Sequence, residues 1–275
     1  MLKQAIAGIL TEAEASEIYG AFDQIGSIII LRIPDSLLSK KKLIGEILLE
    51  KVKTAKSVYY QSSPVEGSYR IRQIELLAGE DKTETEYKEH GCRFKVDVEK
   101  TFFSPRLSTE RERISELIQD GEIIINMFGG VGMFSIVAAK KKKCHVYNID
   151  INPDAARLCS ENILLNKLKG TVESFEGDAS RIIDEKLLET GDRVLMLLPE
   201  RSDEFLNSAI KAAKKNSVIH YYCHVHAEKK EYVSNLASQH FANVVNVKSE
   251  ILGSKIVRPV GPRFYQAVVD AKITK

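Results

Sequence analysis

The sequence has no hydrophobic run long enough to cross a membrane and no cysteines at the spacing of a metal site. Every apolar run falls short of the roughly 18 residues that a spanning helix needs, and the N-terminal segment turns acidic after one short apolar turn, unlike a signal peptide. The four cysteines are scattered, without a C-x-x-C pair: Cys92, Cys144, Cys159 and Cys223. We therefore expect a cytoplasmic protein without disulfides or structural zinc.

The chain also lacks an excess of either charge. Lysine and arginine number 40 against 38 acidic residues, for a net charge of +2. A nucleic-acid site would therefore have to be a local basic patch. The segment from His220 to His226 is rich in histidine, with Cys223 inside it, but it continues a predicted strand whose alternate side chains point to opposite faces. We expect no metal there.

The 275 residues suffice for a large α/β domain and a smaller one. Up to the proline at 105 the patterns mix, with helical periodicity at 3–24 and 37–53, a buried strand at 27–33 and shorter β-rich pieces up to 98. We expect a small α+β domain over residues 1–105.

From residue 121 strands and helices alternate, which indicates a parallel, doubly wound sheet. A helix is expected at about 228–239, followed by two strands, NVVNVKSEIL and RFYQAVVDAKI, suited to an antiparallel pair at the sheet edge. This is the arrangement of class I methyltransferases, so residues 106–275 are predicted to be a Rossmann-like domain of that class.

A glycine turn follows the first strand of this second domain. Strand EIIINMF runs into Gly129-Gly-Val-Gly132 and then into a helix, and the next strand ends at Asp150, 24 residues after Asn126. Glycine lets a ligand lie against bare main chain, the helix N-terminus offers unpaired N–H groups, and a carboxylate can accept from a ribose diol. The pattern fits a nicotinamide nucleotide or S-adenosylmethionine. The mid-chain position of the turn and a further carboxylate, Asp178 after the third strand, favour S-adenosylmethionine, although Asp178 also suits a helix cap.

Several motifs resemble, in order, the archaeal and eukaryotic tRNA (guanine-37 N1)-methyltransferase family, which is related to the wyosine-pathway tRNA transferases. They are Gly67-Ser-Tyr-Arg70-Ile-Arg72, Phe103-Ser-Pro-Arg106-Leu, Glu110-Arg-Glu-Arg113, Met127-Phe-Gly-Gly-Val-Gly132, Asp150-Ile-Asn-Pro153, Leu198-Pro199 and Val218-Ile-His-Tyr-Tyr222. The resemblance covers nearly the whole chain. It implies a class I catalytic domain, S-adenosylmethionine as cofactor and the anticodon arm of tRNA as partner of the small domain. We also expect a monomer.

The resemblance also implies roles for individual residues. Glu110 is implied as general base and Arg70 as the support for the guanine oxygen, with Arg72 as a competitor for that role and Arg106 as a further substrate contact. The residues implied to bind the methyl donor are Phe128, Gly130, Gly132, Asp150, Asp178, Leu198 and Pro199. The chemistry calls for a base, here Glu110, and a charge-stabilising donor, here Arg70. Guanine N1 is a poor nucleophile until it loses its proton, and the negative charge then moves to the exocyclic oxygen. A positioned base contributes roughly 10²–10⁴-fold, and one charge-stabilising donor roughly 10²–10³-fold.

Apart from the resemblance, the residue types at these positions also suit ordinary roles. Glu110 in a first helical turn complements the helix dipole. Arg70 and Arg72, at i and i+2 of a strand, would share a face and could grip a flipped base and its phosphates.

Three departures from the family pattern are visible. Asn126 stands where an acidic residue is usual, and Leu197 stands where Asn-Leu-Pro would have its asparagine. We also expect the chain to lack the small N-terminal domain of archaeal members. These departures keep two alternatives open: a wyosine-type enzyme, which transfers an aminocarboxypropyl group or methylates a tricyclic guanosine derivative at the same nucleotide, and an RNA-binding module with a vestigial donor site. The glycine turn leaves a third, a nicotinamide-dependent oxidoreductase.

Overall fold

The computed structural model describes residues 11, 14, 22–63, 67 and 69–274. The chain divides into two compact units, Met1–Pro105 and Arg106–Lys275. Most of the helix expected at 3–24 lies outside the described residues, and its last two positions belong to a strand instead. In the described part of the chain, no helix is long and apolar enough to span a bilayer.

The first unit contains a four-stranded sheet and a separate hairpin. The sheet has the order β1-β2-β3-β4, in which β2 and β3 are parallel and the outer pairs are antiparallel. Helix α1 connects β2 to β3, and the hairpin pairs β5 with β6. The elements are β1 Asp23–Ile25, β2 Ile28–Leu31, α1 Lys41–Lys51, β3 Ser57–Gln61, β4 Ile74–Gly79, β5 Glu84–Glu89 and β6 Cys92–Asp97.

Packing of α1 on this sheet is set by the sequence of both partners. All four residues of β2 are buried, as expected of a continuous apolar strand next to a parallel neighbour. Ile44 and Leu48 of α1 are buried in the same cluster as Leu77 of β4. A side chain at Gly45 would place its Cβ 2.5 Å from the Leu77 Cβ, so glycine permits this close helix–sheet contact.

The second unit is a seven-stranded sheet with helices between successive parallel strands. Its order is β12-β13-β11-β10-β7-β8-β9, parallel from β9 to β11, with β13 antiparallel to both of its neighbours. The elements are α2 Ser108–Leu117, β7 Ile123–Asn126, α3 Met133–Lys141, β8 His145–Asp150, α4 Pro153–Leu164, β9 Thr171–Glu176, α5 Ala179–Ile182, β10 Gly191–Met196, α6 Ser202–Ala212, β11 Ala213–His226, α7 Val233–Val244, β12 Ser249–Gly261 and β13 Phe264–Ile273. The predicted class I methyltransferase fold is confirmed.

Strand order reverses between β7 and β10, which lie side by side although β8 and β9 come between them in the chain. In open α/β sheets, ligands bind in the crevice at the carboxyl ends of the strands at such a point. The glycine turn follows β7 there, and Leu198-Pro199 follows β10. The fold therefore directs both segments to one edge of the sheet.

Candidate active site

Asp150 holds the glycine turn from the end of the neighbouring strand. The Gly130 N–H donates to Asp150 Oδ2 at 2.7 Å, and the Asn152 N–H donates to Oδ1 at 2.9 Å. Asn152 in turn caps α4, since its Oδ1 accepts from the Asp154 N–H at 3.0 Å. The Asp150 carboxylate is thus fixed between the turn after β7 and the start of α4.

The turn requires glycine at two positions. Gly132 has φ 88°, and a Cβ there would lie 2.7 Å from the Cys159 sulfur. At Gly129 a Cβ would lie 2.0 Å from the Asn148 side-chain oxygen. The turn is therefore packed closely against β8 and α4, and Gly130 is its one partly exposed residue, where a ligand would meet main chain without a side chain.

A buried polar chain lies beneath the turn. Asn126 Nδ2 donates to the Ser135 hydroxyl at 3.1 Å, which donates to Asn148 Oδ1 at 2.6 Å. Asn148 Nδ2 reaches the Gly130 carbonyl oxygen at 3.3 Å. Among the described residues, Asn126 Oδ1 is buried without a hydrogen-bond partner. A buried acceptor of this kind usually receives a hydrogen bond from a ligand or a water molecule. Asn126 can therefore accept a hydrogen bond from a ligand at the position where a carboxylate is usual in the family.

The other predicted donor-site residues lie at the same sheet edge. Asp178 follows β9 and caps α5, its Oδ1 accepting from the Arg181 N–H at 3.0 Å. Phe128 packs edge-on against Phe205 of α6, with ring centroids 4.9 Å apart. Leu198 and Pro199, also predicted at this site, are buried directly after β10.

Glu110 lies buried at the start of α2, with a bidentate ion pair to Arg113. Arg113 Nε donates to Glu110 Oε2 at 2.9 Å, and its Nη2 donates to Oε1 at 2.6 Å. The Tyr222 hydroxyl donates to Oε1 at 2.6 Å. Burial, and then the Glu110 charge, raise the pKa of Tyr222 well above its ordinary value, so it remains a donor. Glu110 is therefore a carboxylate fixed by three hydrogen bonds.

The ion pair continues into the sheet through Asp270. Arg113 Nη1 donates to Asp270 Oδ2 at 2.5 Å, and His220 Nδ1 lies 2.6 Å from Asp270 Oδ1. The other ring nitrogen of His220 is 2.7 Å from Arg193 Nη1. Because arginine only donates, this nitrogen accepts and Nδ1 carries the hydrogen. His220 is thus neutral, in keeping with a pKa lowered chiefly by its burial.

The pKa of Asp270 reflects this setting. Burial alone would raise it, but the hydrogen bond from His220 and the pairing with Arg113 hold it well below its usual range. Arg193 completes the chain of charges through a bidentate pair with Glu122, at 2.9 and 3.0 Å. In this cluster only the Glu110–Arg113 pair, at i and i+3 of a helix, has a local signal in the sequence.

Comparisons with known proteins identify the family of this chain. The model of the TRM5/TYW2 methyltransferase domain matches residues 85–247, and that of the TYW2 N-terminal domain matches residues 2–83. The chain belongs to the TRM5/TYW2 methyltransferase family. The expectation that it lacks the N-terminal domain usual in the family is not confirmed, because the second model matches an N-terminal domain of TYW2.

Three relatives show the range of this family. The chain is 42% identical to tRNA (guanine(37)-N(1))-methyltransferase Trm5b of Pyrococcus abyssi, over 92% of this chain and 75% of that protein. It is 36% identical to tRNA 4-demethylwyosine(37)-methyltransferase Taw21 of Saccharolobus solfataricus, over 94% of this chain and 96% of that one. The solved complex of aTrm5 with tRNALeu superposes with a TM-score of 0.86 at 35% identity, covering 99% of this chain and 78% of that one.

TRM5/TYW2 enzymes use S-adenosylmethionine. The residues at the sheet edge fit that donor: Asp150 offers acceptors for a ribose diol, the glycine turn offers bare main chain, and Asn126 offers a buried unpaired oxygen. Asp178 acts as a helix cap and still has lone pairs for an adenine amino group.

The arrangement expected for Arg70 and Arg72 is wrong. Both precede β4 rather than lying on a strand with a common face, because Arg70 is in a turn with φ 53°. The Arg70 guanidinium stacks over the Phe102 ring at 4.2 Å, whereas Arg72 is buried and donates to the Phe103 carbonyl oxygen at 3.0 Å. Arg72 thus ties together two segments of its own unit.

The remaining sequence predictions concern Arg106 and the histidine-rich segment. Arg106 is exposed in a 3₁₀ turn just before α2. In β11, His220 is fully buried against Asp270 while His226 is exposed. Within the described residues, no group of three or more histidine, cysteine or acidic side chains could hold a metal ion.

Proposed function

We propose that this chain transfers a methyl group from S-adenosylmethionine to the guanine-derived base at position 37 of tRNA, with guanine N1 as the first candidate acceptor. The observation that carries the proposal is the Asp150 clamp on the glycine turn, in the same unit in which Glu110 is held by its own hydrogen bonds. Relatives with 42% and 38% identity are named tRNA (guanine(37)-N(1))-methyltransferase Trm5b.

When bound, S-adenosylmethionine supplies an electrophilic methyl group. We propose that Asp150 and Asp178 orient its nucleoside, while Phe128, Gly130, Gly132, Leu198 and Pro199 line the rest of the pocket. A methyl acceptor must be electron-rich, and guanine N1 becomes so only after losing its proton. Glu110 is proposed to take that proton as a carboxylate.

Arg70 is proposed to stabilise the negative charge that then develops on the guanine oxygen. The Arg70 guanidinium is stacked over the Phe102 ring at 4.2 Å, and a guanidinium is always charged and binds oxygen atoms through the N–H groups at its edge. The first unit, which contains Arg70, and the exposed Arg106 are proposed to contact the anticodon arm.

Leu197 supports a second candidate, methylation of the tricyclic base 4-demethylwyosine at the same position. Met196, the last residue of β10, pairs with Tyr221, and Leu197 follows it directly; the residue after Tyr221 is Tyr222, whose hydroxyl binds Glu110. Where the family pattern has an amide, this chain presents an apolar side chain, which offers a guanine edge no hydrogen bond. Taw21 of Saccharolobus solfataricus, a relative named for that reaction, aligns over 96% of its length.

One experiment separates these candidates. The purified chain is incubated with methyl-labelled S-adenosylmethionine and either an unmodified tRNA transcript or tRNA that carries 4-demethylwyosine, and the nucleosides are analysed by mass spectrometry. Labelled 1-methylguanosine from the transcript supports the first candidate. Label only in the tricyclic nucleoside supports the second, transfer of the heavier aminocarboxypropyl group would refute both, and so would the absence of any transfer.

A further inference from the structure

One largely buried arginine pairs with two carboxylates in the second unit. Arg113 donates hydrogen bonds from Nε and Nη2 to Glu110 and from Nη1 to Asp270, at distances of 2.5 to 2.9 Å. The three side chains are only 16%, 5% and 17% exposed. In such a site the charge state of one carboxylate depends strongly on the other, because water screens their interaction weakly.

We propose that Asp270 and Tyr222 are positioning residues that set how strongly Glu110 holds a proton, Asp270 through the shared Arg113 and Tyr222 by direct hydrogen bonding. The inference rests on the proposed function, in which Glu110 is the base. It assigns the two residues effects of opposite sign.

Asp270 makes it easier for Glu110 to accept a proton. If Arg113 had Glu110 as its sole partner, protonation of Glu110 would leave a largely buried guanidinium without a counter-charge, which is costly. Because Asp270 remains ionised and paired with Arg113, the cation stays compensated after Glu110 is neutralised. The negative charge of Asp270 also disfavours a second negative charge nearby.

Tyr222 acts in the other direction. Its hydroxyl donates to Glu110 Oε1 at 2.6 Å, and a hydrogen bond to the ionised form of a carboxyl group weakens its hold on a proton. Burial keeps Tyr222 protonated, since its pKa lies well above the ordinary value. Tyr222 therefore keeps Glu110 ionised and aimed, while Asp270 prevents Arg113 from making it too weak a base.

The other charged groups around this cluster are accounted for by their own partners. From β11, His220 is neutral and faces Asp270, and from β10, Arg193 pairs with Glu122. On α2 itself the Arg111 guanidinium lies over the Phe134 ring, 5.8 Å from its centroid. Glu112, also on α2, pairs with Lys141 of α3 at 3.4 Å. The balance at Glu110 is thus governed by Arg113, Asp270 and Tyr222.

The test is the pH dependence of single-turnover methyl transfer, with saturating S-adenosylmethionine and the tRNA that the wild type modifies. In Asp270→Asn the midpoint of the acid limb should move to lower pH by about one unit, with a slower plateau rate, because the base is weaker. In Tyr222→Phe the midpoint should move to higher pH by a similar amount. Glu122→Gln, at the far end of the same chain of charges, is the matched control and should leave the midpoint in place.

Shifts of opposite sign in the two variants, with unchanged donor affinity, support the inference, since a general loss of structure cannot produce them. Unmoved midpoints, or shifts of the same sign, overturn it while leaving the methyl transfer of the wild type intact. If Asp270→Asn does not fold, as judged by circular dichroism, Tyr222→Phe decides alone, and a midpoint that fails to rise overturns the inference. A wild type that transfers no methyl group refutes the proposed function itself.

Discussion

Replacing Asp150 with asparagine probes the clamp on the glycine turn with almost no change in volume. The carboxylate accepts one backbone N–H on each oxygen, from Gly130 at 2.7 Å and from Asn152 at 2.9 Å. An amide has a single oxygen, so in Asp150→Asn one of these N–H groups faces an NH₂ group, donor against donor. The variant therefore loosens either the turn or the start of α4.

The expected magnitude follows from the bond that is lost. A hydrogen bond to a charged group contributes about 1.5–3 kcal/mol, and the free energy of unfolding should fall by about that amount. The ribose of the donor also loses an anionic acceptor, at a similar cost. Since 1.4 kcal/mol corresponds to tenfold in affinity, the dissociation constant for S-adenosylmethionine should rise roughly 10- to 100-fold.

Isothermal titration calorimetry with S-adenosylmethionine measures the affinity, and urea unfolding measures the stability. Asp154→Asn is the matched control, because Asp154 lies in the same segment and its side chain forms an exposed pair with Arg157 at 3.4 Å. Such pairs contribute about 0–1 kcal/mol, so donor affinity should be unchanged. Wild-type affinity in Asp150→Asn would refute the assignment of Asp150 to the donor site.

Further predictions concern the packing and titration of single residues. Gly132→Ala should lower the free energy of unfolding by about 2–4 kcal/mol in urea titrations, from the left-handed backbone and the clash with Cys159; wild-type stability would contradict this. Burial raises the pKa of Cys159 to about 12, so iodoacetamide should modify it only after unfolding, and rapid labelling of the native protein at Cys159, mapped by peptide mass spectrometry, would count against its burial. The lowered pKa of buried His220 means that protons bind the unfolded chain more readily there, so stability should fall as the pH drops below about 6.5. This fall, measured by urea unfolding across that range, should be smaller in His220→Asn, and an equal fall in both proteins would contradict the neutral form of His220.

The sheet of the catalytic unit was predictable because its strands are short apolar runs separated by amphipathic helices. The sequence predicts a strand over NVVNVKSEIL, beginning at residue 243, and the start of this strand is wrong. Helix α7 continues through Val244 and the strand begins at Ser249. Two adjacent valines, as in Asn-Val-Val, fit the helical or the strand period equally well, so only packing against the sheet decides where the helix ends.

The glycine turn and Asp150 could be placed together because parallel strands end at the same sheet edge. The surroundings of Glu110 could not be predicted in this way. Tyr222 is 112 residues from Glu110 in sequence, and Asp270 is 157 residues from Arg113. Such contacts form only when distant strands come together in the sheet, so no local sequence pattern predicts them.

Arg70 and Arg72 show a different limit. Their spacing suggested a shared strand face, but the left-handed backbone at Arg70 breaks the alternation. The roles of Arg70 and Arg72 at the substrate both stay predictions, and the structure adds a buried hydrogen bond from Arg72 to the Phe103 carbonyl oxygen.

Position-specific transfer of a labelled methyl group tests the central claim most directly. The purified chain is incubated with methyl-labelled S-adenosylmethionine and two sets of tRNA, matched except that nucleotide 37 is the guanosine-derived base in one and adenosine in the other. Label should enter the first set alone. Equal labelling of both sets, or none in either, would contradict the claim that this chain methylates the base at position 37.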